Sequence, residues 1–178
     1  MLNSKFNQSF TLVEVLISMA IISIGAIGAF LAIQNGVAQT TFSSSRSTAA
    51  YLAQEGIEIV RNIRDTNYLR DRYKYPGEAQ IPWDDGIPAG NCLEVDYQSK
   101  KLLTCGRDSE GKLGRYLNID QDGFYSYFLG KKTPFKRKIE IQKTDNSQIK
   151  IMVTVEWEER GKSYNFVLQG NIYNVRSF

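Results

Sequence analysis

Residues 9–30 read SFTLVEVLISMAIISIGAIGAF, an apolar run with one acid, Glu14, close to its start. Between Val15 and Ile33 there is no charge, and only Ser18, Ser23 and small residues break the apolar character. About 20 such residues in a helix span the hydrocarbon core of a bilayer. A secretory signal peptide has a positive start, a short apolar centre and a small-residue cleavage site after it. Lys5 supplies a weak positive start, but this run is longer than a usual signal core and its small residues are scattered. A plain signal anchor fits the length better, with Lys5 on the cytoplasmic side. Neither reading explains Glu14. An acid at the centre of a membrane helix costs roughly 2.5–3.5 kcal/mol, and less near an end. Glu14 is near an end, where the headgroups and the positive pole of the helix N-terminus favour it.

Working outward, polarity rises after Ile33, yet no proline appears until Pro76. From Thr40 to Arg64 the residues Ala49, Leu52, Ala53, Gly56, Ile59, Val60 and Ile63 recur at three- and four-residue spacings. Arg46, Gln54, Glu58, Arg61 and Arg64 fall mostly elsewhere, as on an amphipathic helix. The pattern predicts one helix from about Phe10 to about Asp65, about 80 Å long at 1.5 Å per residue. Residues 10–36 form its membrane-spanning part and 37–66 the amphipathic half that packs on a globular head. Gly25, Gly28 and Gly36 each cost up to about 1 kcal/mol against Ala in a helix. Gly25 and Gly28 are not spaced as a small-xxx-small contact.

Past Tyr68 the stretch YKYPGEAQIPWDDGIPAGNC is loop chemistry, and 67–123 reads as a loop region. Cys92 and Cys105, the only cysteines, flank LEVDYQSKKLLT. They are buried free thiols if the head faces a reducing compartment, and a disulfide if it lies outside the cytoplasm, as the anchor orientation suggests. Such a bridge would staple a small hairpin of LEVDY and KKLLT. Asp120, Asp122 and Gly123 could open a calcium loop, but the rest of that spacing, with its late Glu, is missing. A simple turn before a strand is the plainer reading, and no cofactor is expected.

Residues 124–178 alternate. Ile139 and Ile141 interleave with Lys138 and Glu140, and Ile149, Ile151, Val153, Val155 and Trp157 share one face against Lys150, Thr154 and Glu156. TDNSQ and EERGK separate the strands, giving an antiparallel meander opened by FYSYFL and Phe135. One apolar face covering an amphipathic helix makes the fold class α+β. Tyr125, Tyr127, Tyr164 and Phe166 could form a carbohydrate or single-strand platform, but at strand spacing they read as core or cross-strand pairs.

Composition narrows the chemistry. The chain has no histidine, which removes Ser-His-Asp and Cys-His nucleophiles and the commonest zinc ligand. A net charge of +3 without a polybasic stripe gives no footing for nucleic acid. No catalytic constellation emerges, so an enzyme is not expected.

Ser9-Phe10-Thr11-Leu12-Val13-Glu14, after a short polar leader and before a long apolar run, resembles the type IV prepilin signature. That family comprises type IV pilins, minor pilins and the pseudopilins of type II secretion. The resemblance implies a leader of residues 1–9, cut by a prepilin peptidase between Ser9 and Phe10, and N-methylation of Phe10. Ser9 departs from the glycine usual there, which implies slower cleavage. Glu14 would then pair with the new N-terminal ammonium of a neighbouring subunit and fix the axial register, each charge compensating the other in an apolar bundle.

Implied partners are other pilin subunits through the N-terminal helix, the peptidase, an inner-membrane assembly platform and the membrane itself. The implied location is a single-pass cell-membrane precursor with an extracytoplasmic head, later part of a pilus or pseudopilus. Many relatives carry a helix proline that this chain lacks, so the glycines and Gln34-Asn35-Gly36 become its candidate weak point. ISIGAIGAF and AQEGIEIVRNIRD are more similar to minor pilins or pseudopilins than to major pilins. Some pseudopilins bind calcium in the head, which bears on Asp120 and Asp122. The alternative is a membrane-anchored surface protein whose head binds a ligand and which never enters a filament.

Overall fold

The computed structural model describes residues 11–174. The chain divides into two compact units, Met1–Ser44 and Ser45–Phe178. A helix, α1, runs Leu12–Arg72 without a break at Gly25, Gly28 or Gly36. It extends past the expected end near Asp65. Asn67, buried, donates to the carbonyls of Trp83 (3.2 Å) and Asp85 (2.7 Å), which ties the last turns to the following loop. With no Gly or Pro between Asp65 and Pro76, the chain has no reason to stop sooner.

In the first unit the hydroxyls of Ser18, Ser23, Thr40 and Thr41 each donate to the carbonyl four residues back. Polar side chains that satisfy themselves on their own helix are compatible with an apolar surrounding.

The second unit is a seven-stranded, wholly antiparallel sheet with the C-terminal part of α1 on one face. Its strands are β1 (Gly90–Glu94), β2 (Leu103–Thr104), β3 (Tyr116–Ile119), β4 (Tyr125–Ser126), β5 (Lys131–Lys143), β6 (Gln148–Glu159) and β7 (Lys162–Tyr173). β5, β6 and β7 form the expected meander. Arg160 and Gly161, both at positive φ, close the β6–β7 hairpin in the primed-turn manner that suits strand twist. β5 is the hub: one edge pairs with β6, and the other is shared by β3 near Lys132–Lys136 and β1 near Ile139–Ile141.

Two expectations change here. The 67–123 region holds β1, β2 and β3, whose two to five residues are too short to show a period but find a ready edge on β5. FYSYFL does not open the meander. Only Tyr125 and Ser126 are extended, and they pair with β3. The chain then turns at Gly130 (φ 103°), where a Cβ would collide with the Ile119 carbonyl, so only glycine fits.

The core joins Ala49, Leu52, Ala53, Ile57 and Val60 to Ile139, Ile141, Ile149, Ile151, Val153, Val155 and Trp157. The helix stripe is rotated slightly from the expected one: Ile57 is buried, while Ile59 and Ile63 are only half-buried. Gly56 and Gly170 set the close approach. A Cβ on Gly56 would stand 3.2 Å from Val153, and one on Gly170 3.2 Å from Ile57. The architecture is α+β and pilin-like.

Candidate functional site

The head of α1 is built from a few residues. Thr11 precedes the helix, and its Oγ1 accepts the Glu14 backbone N–H at 3.3 Å while its carbonyl accepts Val15 N–H at 3.2 Å. Thr-x-x-Glu is the spacing of a capping box, which consumes an otherwise unsatisfied donor of the first turn. Sequence reasoning centred on Glu14 misses this role of Thr11, although the spacing was the signal for it. The cap places the Glu14 carboxylate beside the positive end of the helix dipole. No ion pair among the described residues involves Glu14. Ser9 and Phe10, the expected cleavage and methylation positions, lie outside the described residues.

Below Glu14 the helix is apolar on every side. Leu16, Ile17, Met19, Ile21, Ile22, Ile24, Ile27, Phe30 and Ile33 are each more than half exposed. The segment is long and apolar enough to cross a membrane, and the next charge after Glu14 is Arg46. A monomer in water does not leave so large a surface uncovered; lipid, or other helices, must cover it. Among the described residues Glu14 is therefore the one titratable group at the rim of this apolar surface.

In the head, Cys92 and Cys105 form a disulfide with Cα atoms 5.4 Å apart. It closes the β1–β2 hairpin, where Leu93 faces Thr104 and Glu94 faces Leu103, as LEVDY and KKLLT suggested. For a 13-residue separation the stabilisation is about 3 kcal/mol in the chain-entropy account. Reduction of the folded chain, or Cys92→Ser with Cys105→Ser, is expected to lower the head's melting temperature by roughly 10 °C. Paired thermal melts with and without reductant check this.

Asp120 serves the turn. Its Oδ1 accepts the N–H groups of Asp122 (3.0 Å) and Phe124 (2.8 Å), and its Oδ2 accepts the Tyr97 hydroxyl (3.0 Å). Asp122 is exposed. Among the described residues no group of three or more His, Cys, Asp or Glu side chains is placed to hold a metal ion.

Two of the aromatics, Tyr127 and Tyr164, sit in the core and in a cross-strand pair. Tyr127 is buried, its hydroxyl donating to the Arg137 carbonyl at 3.1 Å, and burial pushes its pKa up to about 12. Trp157 and Tyr164 stack as a cross-strand pair with centroids 5.7 Å apart.

The main polar feature of the head is Arg137, fully buried on the inward face of β5 between Phe135 and Ile139. Its guanidinium donates to the Leu52 carbonyl (3.1 Å) and Glu55 carboxylate (2.9 Å) on α1, and to the Val95 carbonyl beyond β1. One cation thus ties helix, central strand and the disulfide hairpin together. Glu94, also buried, is held by the backbone N–H and guanidinium of Arg115.

Carboxylates of the head respond to acid. The Lys136 ammonium holds Asp108 below the usual carboxylate range, the Phe124 backbone N–H does the same for Asp120, and the Ser147 hydroxyl for Asp145. A depressed folded-state pKa contributes stability above the unfolded value near 4, and that contribution is lost as pH falls through the folded value. The melting temperature is expected to drop between about pH 5 and about pH 2, with a shallower drop in Asp108→Asn. Melting as a function of pH tests both.

Residues 4–30 match the family described as the prokaryotic N-terminal methylation motif. No curated protein and no solved structure matches the chain. With that match seated on the first turns of an apolar helix exposed on every side, the protein carries the type IV prepilin-like signature, that of a pilin-like prepilin processed at its N-terminus.

Proposed function

We propose that the chain is a structural subunit, a minor pilin or pseudopilin, of a type IV pilus or a related secretion or competence filament. The observation that carries this reading is the motif over residues 4–30 at the head of a helix that no charge interrupts between Glu14 and Arg46, a membrane-length stretch. A prepilin peptidase cuts between Ser9 and Phe10, and the new amine on Phe10 is methylated. The precursor sits in the cell membrane with its head on the extracytoplasmic side, where the Cys92–Cys105 bridge is chemically at home. Assembly moves the apolar helix from lipid into a bundle of like helices, and Glu14 meets the Phe10 ammonium of a neighbour. In that setting the two charges neutralise each other and set the step between subunits.

Shearing surface filaments from cells and measuring the chain in filament and membrane fractions tests the proposal. Its presence in purified filaments is expected. A chain confined to membranes under conditions where filaments form would favour a surface-anchored, ligand-binding protein instead.

A further inference from the structure

The last strand is built unlike a protected sheet edge. β7 is twelve residues long and pairs in one continuous register with β6, and among the described residues no strand pairs with its other edge. Natural edges are kept from pairing by shortness, charge, proline or bulges. The edge strands at the far side of the sheet, β2 and β4, are two residues each. β7 has few of these devices: its one charge is Lys162, its first residue, and from Ser163 to Tyr173 it carries no charge and no proline, and its register does not shift. The charges lie on the interior strands instead, at Lys136, Lys138 and Glu140 of β5 and at Lys150, Glu156 and Glu158 of β6.

A second observation concerns the face toward the helix. Trp157, Val155 and Val153 of β6 are buried, but their direct partners on β7, Tyr164, Phe166 and Leu168, are only half-buried. The apolar layer runs out to the edge and is left partly uncovered there.

We propose that the free edge of β7 pairs antiparallel with β7 of a second copy of this chain, about a two-fold axis at Leu168. A two-fold that continues the sheet must set inward residues opposite inward ones, so the paired positions share parity. Centring on Leu168 aligns Ser163 with Tyr173, Tyr164 with Ile172, Phe166 with Gly170 and Val167 with Gln169. No charge meets a like charge, since Lys162 falls outside the aligned residues. Phe166 lies across from Gly170, a residue whose own inward space is already filled by Ile57. The same patch serves both copies, as an isologous contact requires. Paired copies run in opposite directions, so this contact is distinct from that between successive subunits of one filament and does not rest on the filament reading.

The test uses the full chain in detergent micelles with Leu168→Cys as a reporter and the native disulfide intact. Mild oxidation is expected to give a covalent dimer through position 168. Adding Val167→Lys with Gln169→Lys sets lysine against lysine twice across the axis and should cut the dimer yield at least about fivefold at low salt. Val167→Glu with Gln169→Lys sets opposite charges across the same positions and should restore it. Both residues are exposed, and the restored pair shows that the lysine variant failed by repulsion rather than misfolding. A yield unmoved by the lysine pair, as helix-driven association would give, overturns the proposal. So does a purified chain that stays monomeric, as it would if β7 accepted a strand from a different protein, or a Glu/Lys pair that fails to restore the dimer.

Discussion

A Glu14→Ala chain is expected to enter the membrane as well as the native one and to be lost from filaments by a factor of at least about 100. Insertion does not suffer, because the substitution removes a carboxylate from the edge of an apolar segment, where its cost is positive. On the proposed function assembly does suffer, because the Phe10 ammonium of a neighbour would lose its counter-charge in an apolar bundle. Breaking a buried pair by removing one member costs about 3–5 kcal/mol, which sets the expected factor. Glu14→Gln separates this from the cap: Thr11 still accepts the backbone N–H of residue 14, so the helix start is kept while the charge is gone. Thr11→Ala should cost about 1 kcal/mol of helix start and leave incorporation largely intact. Filament and membrane fractions compared by quantitative mass spectrometry decide it. Normal incorporation of both Glu14 variants would mean that the carboxylate serves only the helix end.

Arg137→Ala is expected to destabilise the head by about 3–5 kcal/mol. The loss strands the carbonyls of Leu52 and Val95, leaves Glu55 without its cation and opens a void in the layer between α1 and β5. Glu55→Gln should cost less, since Glu55 keeps 32% of its side chain in solvent. Arg137→Met, which refills the space without a charge, should recover part of the loss. Thermal melts of the full chain in detergent, read by near-ultraviolet circular dichroism, distinguish these. A loss below about 1 kcal/mol for Arg137→Ala would show that the clamp is not what joins helix to sheet.

The long elements were legible because their periods are long enough to count. Ala49 to Val60 at helical spacing and Ile149 to Trp157 at strand spacing marked the two sides of one core. The cysteine pair was legible as two alternatives, and the hairpin between them brings the sulfurs together. What stayed hidden is of two kinds. β1, β2 and β3 are too short for a pattern, and they are strands only because β5 lends them an edge. Arg137 shares parity with Phe135, Ile139 and Ile141, so its inward direction could have been read. Its acceptors could not: they are carbonyls at Leu52 and Val95, far away in the chain, and backbone atoms leave no signature in side-chain identity. The same holds for Asp120, whose partners are mostly the N–H groups of its own turn.

Processing at the N-terminus is read most plainly from the mass and N-terminal sequence of the protein taken from cells. A chain that begins at Phe10 and carries one added methyl group on its amine is expected. A chain beginning beyond Ile33, or one that keeps Met1 through Ser9 while filaments form normally, would contradict the pilin-like reading.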